Sequence, residues 1–228
     1  DRACQEAERL GFPLWCTKGC GACCRQLVPL SPPEAGLIFE LVQSLPKPRR
    51  VQVEARFHEA VEQLDKDGLL NTIREVTWVL GTDEDAQALA REYFSRSIPC
   101  PFLEDEACTI YELRPSICRE YLVTSPAGLC RTPYEAQVMR LPLSIRLSEA
   151  LARTWSRFSG RQVQVIPSIL ALDWAGQNHA ITDLKAPGRE LLIDFLGHVS
   201  ELAQRRSSRI SPAPSPSPLH PLQGDPKS

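Results

Sequence analysis

Cys16-Thr17-Lys18-Gly19-Cys20-Gly21-Ala22-Cys23-Cys24 packs four cysteines into nine residues, and the rest of the chain is read around it. Cys20 and Cys23 have the two-residue gap by which a pair of thiolates reaches one ion. Gly19 and Gly21 flank Cys20, and glycine permits the positive-φ turns that wrap backbone around a metal. Such turns also aim N–H groups at sulfur, which stabilises concentrated thiolate charge. A second set, Cys100, Cys108, Cys118 and Cys130, has to fold back to meet the first. Lys18, Arg25, Arg119 and Arg131 sit beside these cysteines. Cations in those places are expected to lower thiol pKa values and offset the charge of a multi-thiolate site.

Disulfides are the competing explanation, and the counts argue against them. Nine cysteines in 228 residues is an odd number, and the fraction lies well below the ~8–10% of disulfide scaffolds. Vicinal Cys23-Cys24 could bridge only with a strained backbone. No signal-like stretch opens the chain, which begins at Asp1 without methionine. The thiol usage leads to the expectation of a reducing, cytoplasmic compartment.

Beyond the cysteines themselves, several neighbours fall into a pattern. Cys16-x3-Cys20-Gly21-x-Cys23-Cys24 is followed by Cys100-Pro-Phe-Leu, then Cys108-Thr-Ile-Tyr111, then Arg114-Pro115-x-x-Cys118-Arg119-x-Tyr121. These blocks, about residues 12–30 and 98–132, resemble the YkgJ-type cysteine-cluster family. The resemblance implies a zinc- or iron-chelating domain, and the flagellin lysine methylases contain a related one. Cys16, Cys20, Cys23, Cys24, Cys100, Cys108, Cys118 and Cys130 are therefore the candidate metal ligands. Cys4 falls outside the pattern and reads as a free thiol. Which four would share one ion is left open, as is the choice between an iron–sulfur cluster and Zn2+.

The remaining sequence predicts a mainly α protein with a short β-hairpin. Ser31-Pro32-Pro33-Glu34 opens a helix, with Ser31 as cap and proline tolerated in the first turn. Leu37, Ile38, Leu41, Val42 and Leu45 continue it at helical spacing until Pro46 and Pro48 end it. A second helix covers Arg49 to about Lys66, with Val53, Phe57, Ala60, Val61 and Leu64 on one face. Leu69–Leu80 reads as helix or strand, with helix preferred, and Asp83–Ser97 as a further helix. Together they make a helical insertion, about 31–97, inside a cysteine-cluster domain at 1–134. Phe102-Leu103 and Cys108–Tyr111 read as strands around the acidic turn Glu104-Asp105-Glu106, expected to be simply solvated. A short helix from Ser116 to about Leu122 presents Cys118. Tyr111 and Tyr121 are expected to pack against the site. Arg114 and Arg119 are placed to meet sulfur, a carboxylate or a substrate anion. His58 is given no role.

Residues 135–204 read as a helical extension packed on the first domain. It comprises a strand-like Arg140–Arg146, a helix Ser148–Ser159, a short strand Gln162–Ile166 and a helix from Pro167 with His179 near its end. A last helix runs from Thr182 or Asp183 to Arg205, interrupted near Pro187, with Leu191, Leu192, Phe195, Leu196 and Val199 inward. Trp155 and Trp174 are expected to anchor a second small core. The Pro/Ser-rich stretch 205–228 cannot bury enough apolar surface to offset ordering and reads as disordered.

Several functions drop out. With a net charge of −2 and pI near 6.1 there is no basic field for nucleic acid, and no apolar run reaches bilayer length. Phosphate-binding glycine loops, HExxH and GxSxG are absent from the sequence. Cys16-x3-Cys20-x2-Cys23 has the spacing of the triad that opens a cluster iron to S-adenosylmethionine, but no repeated βα pattern follows to build the usual barrel. Two classes remain. One is an iron–sulfur or metal protein with redox or protein-modifying chemistry on a partner protein, a lysine-methylase-like enzyme being its least favoured form. The other is a structural zinc module for protein–protein interaction.

Overall fold

The computed structural model describes residues 2–75, 84–143, 145–178 and 186–207. It is mainly helical with one small antiparallel hairpin, as the patterning predicts. The tail beyond residue 207, the 76–80 part of the third predicted helix, and His179 with the Thr182–Asp183 start of the last helix lie outside the described residues.

The first helix, α1 (Arg2–Arg9), carries Cys4 and leads into the cysteine loop. After the loop, β1 (Pro29–Leu30) precedes α2 (Pro32–Ser44), which begins on the predicted proline pair. Pro46 caps α3 (Lys47–Lys66), so Pro48 sits in the first turn of the next helix and does not terminate the previous one. Val53, Phe57, Ala60 and Leu64 form its buried stripe. On α2, by contrast, Leu37 is 62% exposed while Ile38 and Val42 point inward. Two shorter helices follow, α4 (Leu70–Glu75) and α5 (Glu84–Ser95), which closes the core with Leu89 and Tyr93.

The hairpin pairs β2 (Leu103–Glu104) with β3 (Ala107–Cys108). Asp105 and Glu106 both have positive φ, 48° and 58°, as a two-residue type I′ loop requires. The second strand is shorter than predicted. Backbone leaves the ladder at Cys108, and Tyr111–Leu113 forms a 3-10 turn before α6 (Ser116–Glu120). Cys130 lies in another 3-10 turn, Ala127–Arg131. Among the described residues, the strand predicted over Arg140–Arg146 is represented by a single bridge between Val123 and Arg140.

Next comes α7 (Leu147–Ser159), ending on left-handed Gly160 at φ 67°. The strand expected over Gln162–Ile166 is displaced to β4 (Ile166–Pro167), which pairs antiparallel with β1. A 3-10 turn leads into α8 (Ala171–Gln177), packed along α2, and α9 (Gly188–Ser207) packs along α7. Trp155 is buried, but Trp174 packs on the main core of α2 and α3 and so does not anchor a separate one. On α9, Leu192 and Leu196 face outward, against expectation. The buried Asp194 occupies the inner face, hydrogen-bonded by Arg157 and with His198 Nε2 at 3.3 Å.

One carboxylate locks the helices to the second cysteine block. Glu34 accepts hydrogen bonds from Ser31 N at 3.1 Å and Ser31 Oγ at 2.7 Å, capping α2. Its other oxygen accepts the Ser116 N–H at 2.7 Å, at the start of the helix that carries Cys118. Glu120, at the end of that helix, accepts Ser148 N and Oγ at 2.9 and 2.6 Å and tethers α7. Because Glu34 is 7% exposed, removing it strands buried donors at about 1–3 kcal/mol in total. We expect Glu34→Ala to lower the melting temperature, read by circular dichroism; an unchanged melt would show that α6 is held by other means.

Candidate metal centre

The early loop is built from tight turns. The N–H of Cys20 donates to the Thr17 carbonyl (3.2 Å), Cys24 to Gly21 (3.0 Å) and Gln26 to Cys23 (3.1 Å). Gly19 has φ 94°, where a side chain would be strained. Gly21 is needed for a different reason. A Cβ there would lie 2.5 Å from the Glu106 carbonyl oxygen and 2.6 Å from Leu103 Cδ1, so this glycine lets the hairpin turn press directly on the loop.

The two cysteine blocks meet through backbone as well as side chains. Cys100 N donates to the Cys24 carbonyl at 2.7 Å, and Trp15 N to the Val123 carbonyl at 3.1 Å. From the core side, Phe57 packs edge-on against Phe102 with ring centroids 5.5 Å apart, fixing the backbone two residues after Cys100. All nine cysteines are free thiols, which removes the disulfide alternative.

The eight predicted cysteines line two adjoining hollows. Cys24, Cys100 and Cys108 face the larger one, Cys16 and Cys130 face the smaller, and Cys20, Cys23 and Cys118 face both. Cys4, on α1, faces neither. Among the described residues, no group of three or more Cys, His, Asp or Glu is already drawn together tightly enough to hold a metal ion. The thiols are gathered but not closed, so coordination would have to pull them in.

Backbone donors are aimed at several sulfurs. The Val123 N–H points to Cys16 Sγ at 3.3 Å. The N–H groups of Phe102 and Ile110, each two residues beyond a cysteine, do the same for Cys100 and Cys108. Thiolate is the species these donors favour, and they suit a metal–sulfur centre. Burial opposes them. It pushes Cys100 and Cys118 up to about 12 and Cys130 up to about 11, and it also raises Cys16 and Cys108. Cys23 is raised first by its hydrogen bond with Cys24 and then by burial.

The cations are not where adjacency in sequence suggests. Arg25 pairs with Glu106 at 2.5 Å, Arg131 reaches the same carboxylate at 3.4 Å, and Lys18 pairs with Glu112 at 3.1 Å. Arg119 donates to the carbonyls of Arg114 and Glu112. Glu104 is held by Arg49 and Arg56. The acidic turn is therefore a clamp on the hairpin, not a solvated loop. Arg114 faces both hollows and lies over the Tyr111 ring at 4.0 Å, where its charge favours the thiolates of Cys16, Cys108 and Cys118. Tyr121 packs beside the cysteines as expected. Its hydroxyl accepts from Gln26 Nε2 at 3.2 Å and bonds the Cys130 sulfur. His58 is exposed on α3, 3.3 Å from Glu62 and away from the thiols. One supporting residue escaped the sequence reading: Glu34, signalled by the Ser31-x-x-Glu34 capping-box spacing. Arg140, over the Tyr121 ring at 4.6 Å, lines the larger hollow without any signal in the sequence.

A family model described as "CxxCxxCC: Putative zinc- or iron-chelating domain" matches residues 15–139, a span that includes all eight cysteines of the two hollows. Neither a curated protein nor a solved structure matches the chain. Among the described residues, no helix is long and apolar enough to cross a membrane.

Two measurements check this geometry. Replacing Gly21 with Ala forces the hairpin off the loop, and overpacking of that kind costs about 1–3 kcal/mol; a Gly21→Ala protein melting like the parent would overturn the close approach. The pH dependence follows from the raised thiols. The unfolded chain loses these protons near the ordinary thiol value of 9.0, the folded chain only near 12. Between those values the folded state binds more protons, so stability falls as pH rises. These thiols should leave the melting temperature of the metal-free protein unchanged from neutral pH to about pH 9 and lower it progressively above that. Metal affinity should run the other way, rising with pH because thiols must lose protons to bind.

Proposed function

The chain belongs to the CxxCxxCC family of zinc- or iron-chelating domains, and from that premise we propose that it holds iron, as an iron–sulfur cluster, on thiolates drawn from both cysteine blocks. The supporting observation is that six cysteines from the two blocks face one hollow, three of them shared with a second hollow beside it. Six thiols are more than the four that either a tetrahedral ion or one iron–sulfur cluster takes, so the hollow offers a full ligand set with thiols to spare. Four of these six (Cys20, Cys23, Cys24, Cys100, Cys108 and Cys118), Cys100 among them, would hold the cluster. When bound, such a centre supplies one-electron chemistry or sensing. The chain's own part is to orient the sulfurs, stabilise thiolate through the Phe102 and Ile110 N–H groups, and place the Arg114 charge beside them. A reducing, cytoplasmic setting keeps the thiols available, and a partner protein is the natural recipient of electrons or of a modification.

A second reading rests on the smaller hollow. Cys16 and Cys130 with two of the shared cysteines could close around Zn2+, leaving no open position and hence a structural role.

Anaerobic purification, elemental analysis and the visible spectrum decide between them. Brown protein with iron and sulfide supports the first, and colourless protein with stoichiometric zinc the second. Cys100→Ser should abolish the iron chromophore, while Cys130→Ser should retain most of it. At thousandfold saturation a bound metal contributes about 4 kcal/mol, so its removal should lower the melting temperature by roughly 10 °C. A natively folded protein that takes up neither metal would sink both readings.

A further inference from the structure

The larger hollow extends beyond its cysteines, past the part a metal centre would fill. Its volume is about 280 Å³, against about 30 Å³ for its neighbour. A water needs only about 10–15 Å³ on this measure, and pockets for small organic ligands begin near 300 Å³. Away from the cysteines its walls are largely apolar, with Leu30, Ile38, Phe57, Phe102 and Ile117 contributed by the helical core and the second block.

Two guanidinium groups face this apolar space. Arg114 is held over Tyr111 at 4.0 Å, and Arg140, at the exposed edge, is held over Tyr121 at 4.6 Å. Among the described residues neither has a carboxylate partner, whereas Lys18, Arg25 and Arg131 nearby are all paired. Arg114 Nε is buried and has no hydrogen-bond partner. A buried donor left in this state is costly unless something supplies an acceptor. The thiolates account for part of the charge on Arg114, but they do not account for Arg140.

We propose that this cavity binds a small organic carboxylate, its apolar body against Leu30, Ile38 and Phe57 and its anionic end received by Arg114 and Arg140. The planar guanidinium fork matches a carboxylate in geometry. Two arginine forks would also suit a phosphate; the apolar wall of Leu30, Ile38 and Phe57 is what favours an organic acid over the inorganic ion. This goes beyond the metal reading and rests on it only for what lies next to the bound molecule.

The test uses the full chain as purified, titrated by calorimetry and ligand-observed NMR with 4-phenylbutyrate, octanoate, their primary amides and inorganic phosphate. At least one carboxylate should saturate a single site and bind about tenfold more tightly than its amide, the margin of a charge-assisted hydrogen bond. Arg140→Gln, at the exposed edge of the hollow, should weaken that binding about fivefold or more with metal content unchanged. Equal binding of acid and amide would overturn the proposal, as would full displacement by phosphate at similar affinity or no saturable binding by either carboxylate. Elemental analysis of the same samples reports separately on the metal reading, so the two can fail independently.

Discussion

The Cys100 N–H donating to the Cys24 carbonyl at 2.7 Å is the constraint on which the rest of the structure depends. It closes the chain across residues 25–99 and sets the two cysteine blocks backbone to backbone. Closing a loop of that length carries an entropic cost that grows only slowly with length, and here the intervening helices offset it by burying their own core. Phe57 on α3 against Phe102, and Glu34 on α2 against Ser116, turn that core into a mould for the second block. The pairing of β1 with β4, reinforced by Ser168 N donating to the Val28 carbonyl at 2.7 Å, extends the same arrangement to the C-terminal helices.

Gathering eight thiols in one place raises an electrostatic problem that the structure answers in two layers. While the thiols are protonated, burial in a mostly apolar setting is tolerable, and their raised pKa values express that state. Once they are charged, backbone N–H groups and Arg114 become the stabilising partners. Nearby carboxylates hold several of the other cations. Glu104 and Glu106, at either end of the type I′ loop, tie Arg25, Arg49, Arg56 and Arg131 to the hairpin, keeping those charges off the sulfurs and fixing the register that presents Cys108.

Much of this was legible in the chain because the signals were local. Proline at a first helical turn, the stripe Val53–Phe57–Ala60–Leu64, glycine at the end of α7 and the Cys-x2-Cys spacing each depend on a few neighbouring residues. Errors arose where a residue's fate depended on distant ones. Leu192 and Leu196 fit a helical stripe, yet α9 turns Asp194 inward to meet Arg157 and His198. Arg25 and Arg131 adjoin cysteines in sequence, yet Glu106 draws both away. The Gln162–Ile166 alternation suggested a strand, but hydrogen bonding begins only where β1 is available to pair.

Sequence by itself determined the helical class and the hairpin, since hydrophobic period and turn residues are properties of short stretches, and for the thiols it supplied the spacing. Tertiary structure alone decided how those thiols divide between two hollows, which arginine faces them, and that an apolar cavity adjoins them. Those outcomes come from packing between segments more than seventy residues apart, where side-chain direction and competition among charges settle each contact.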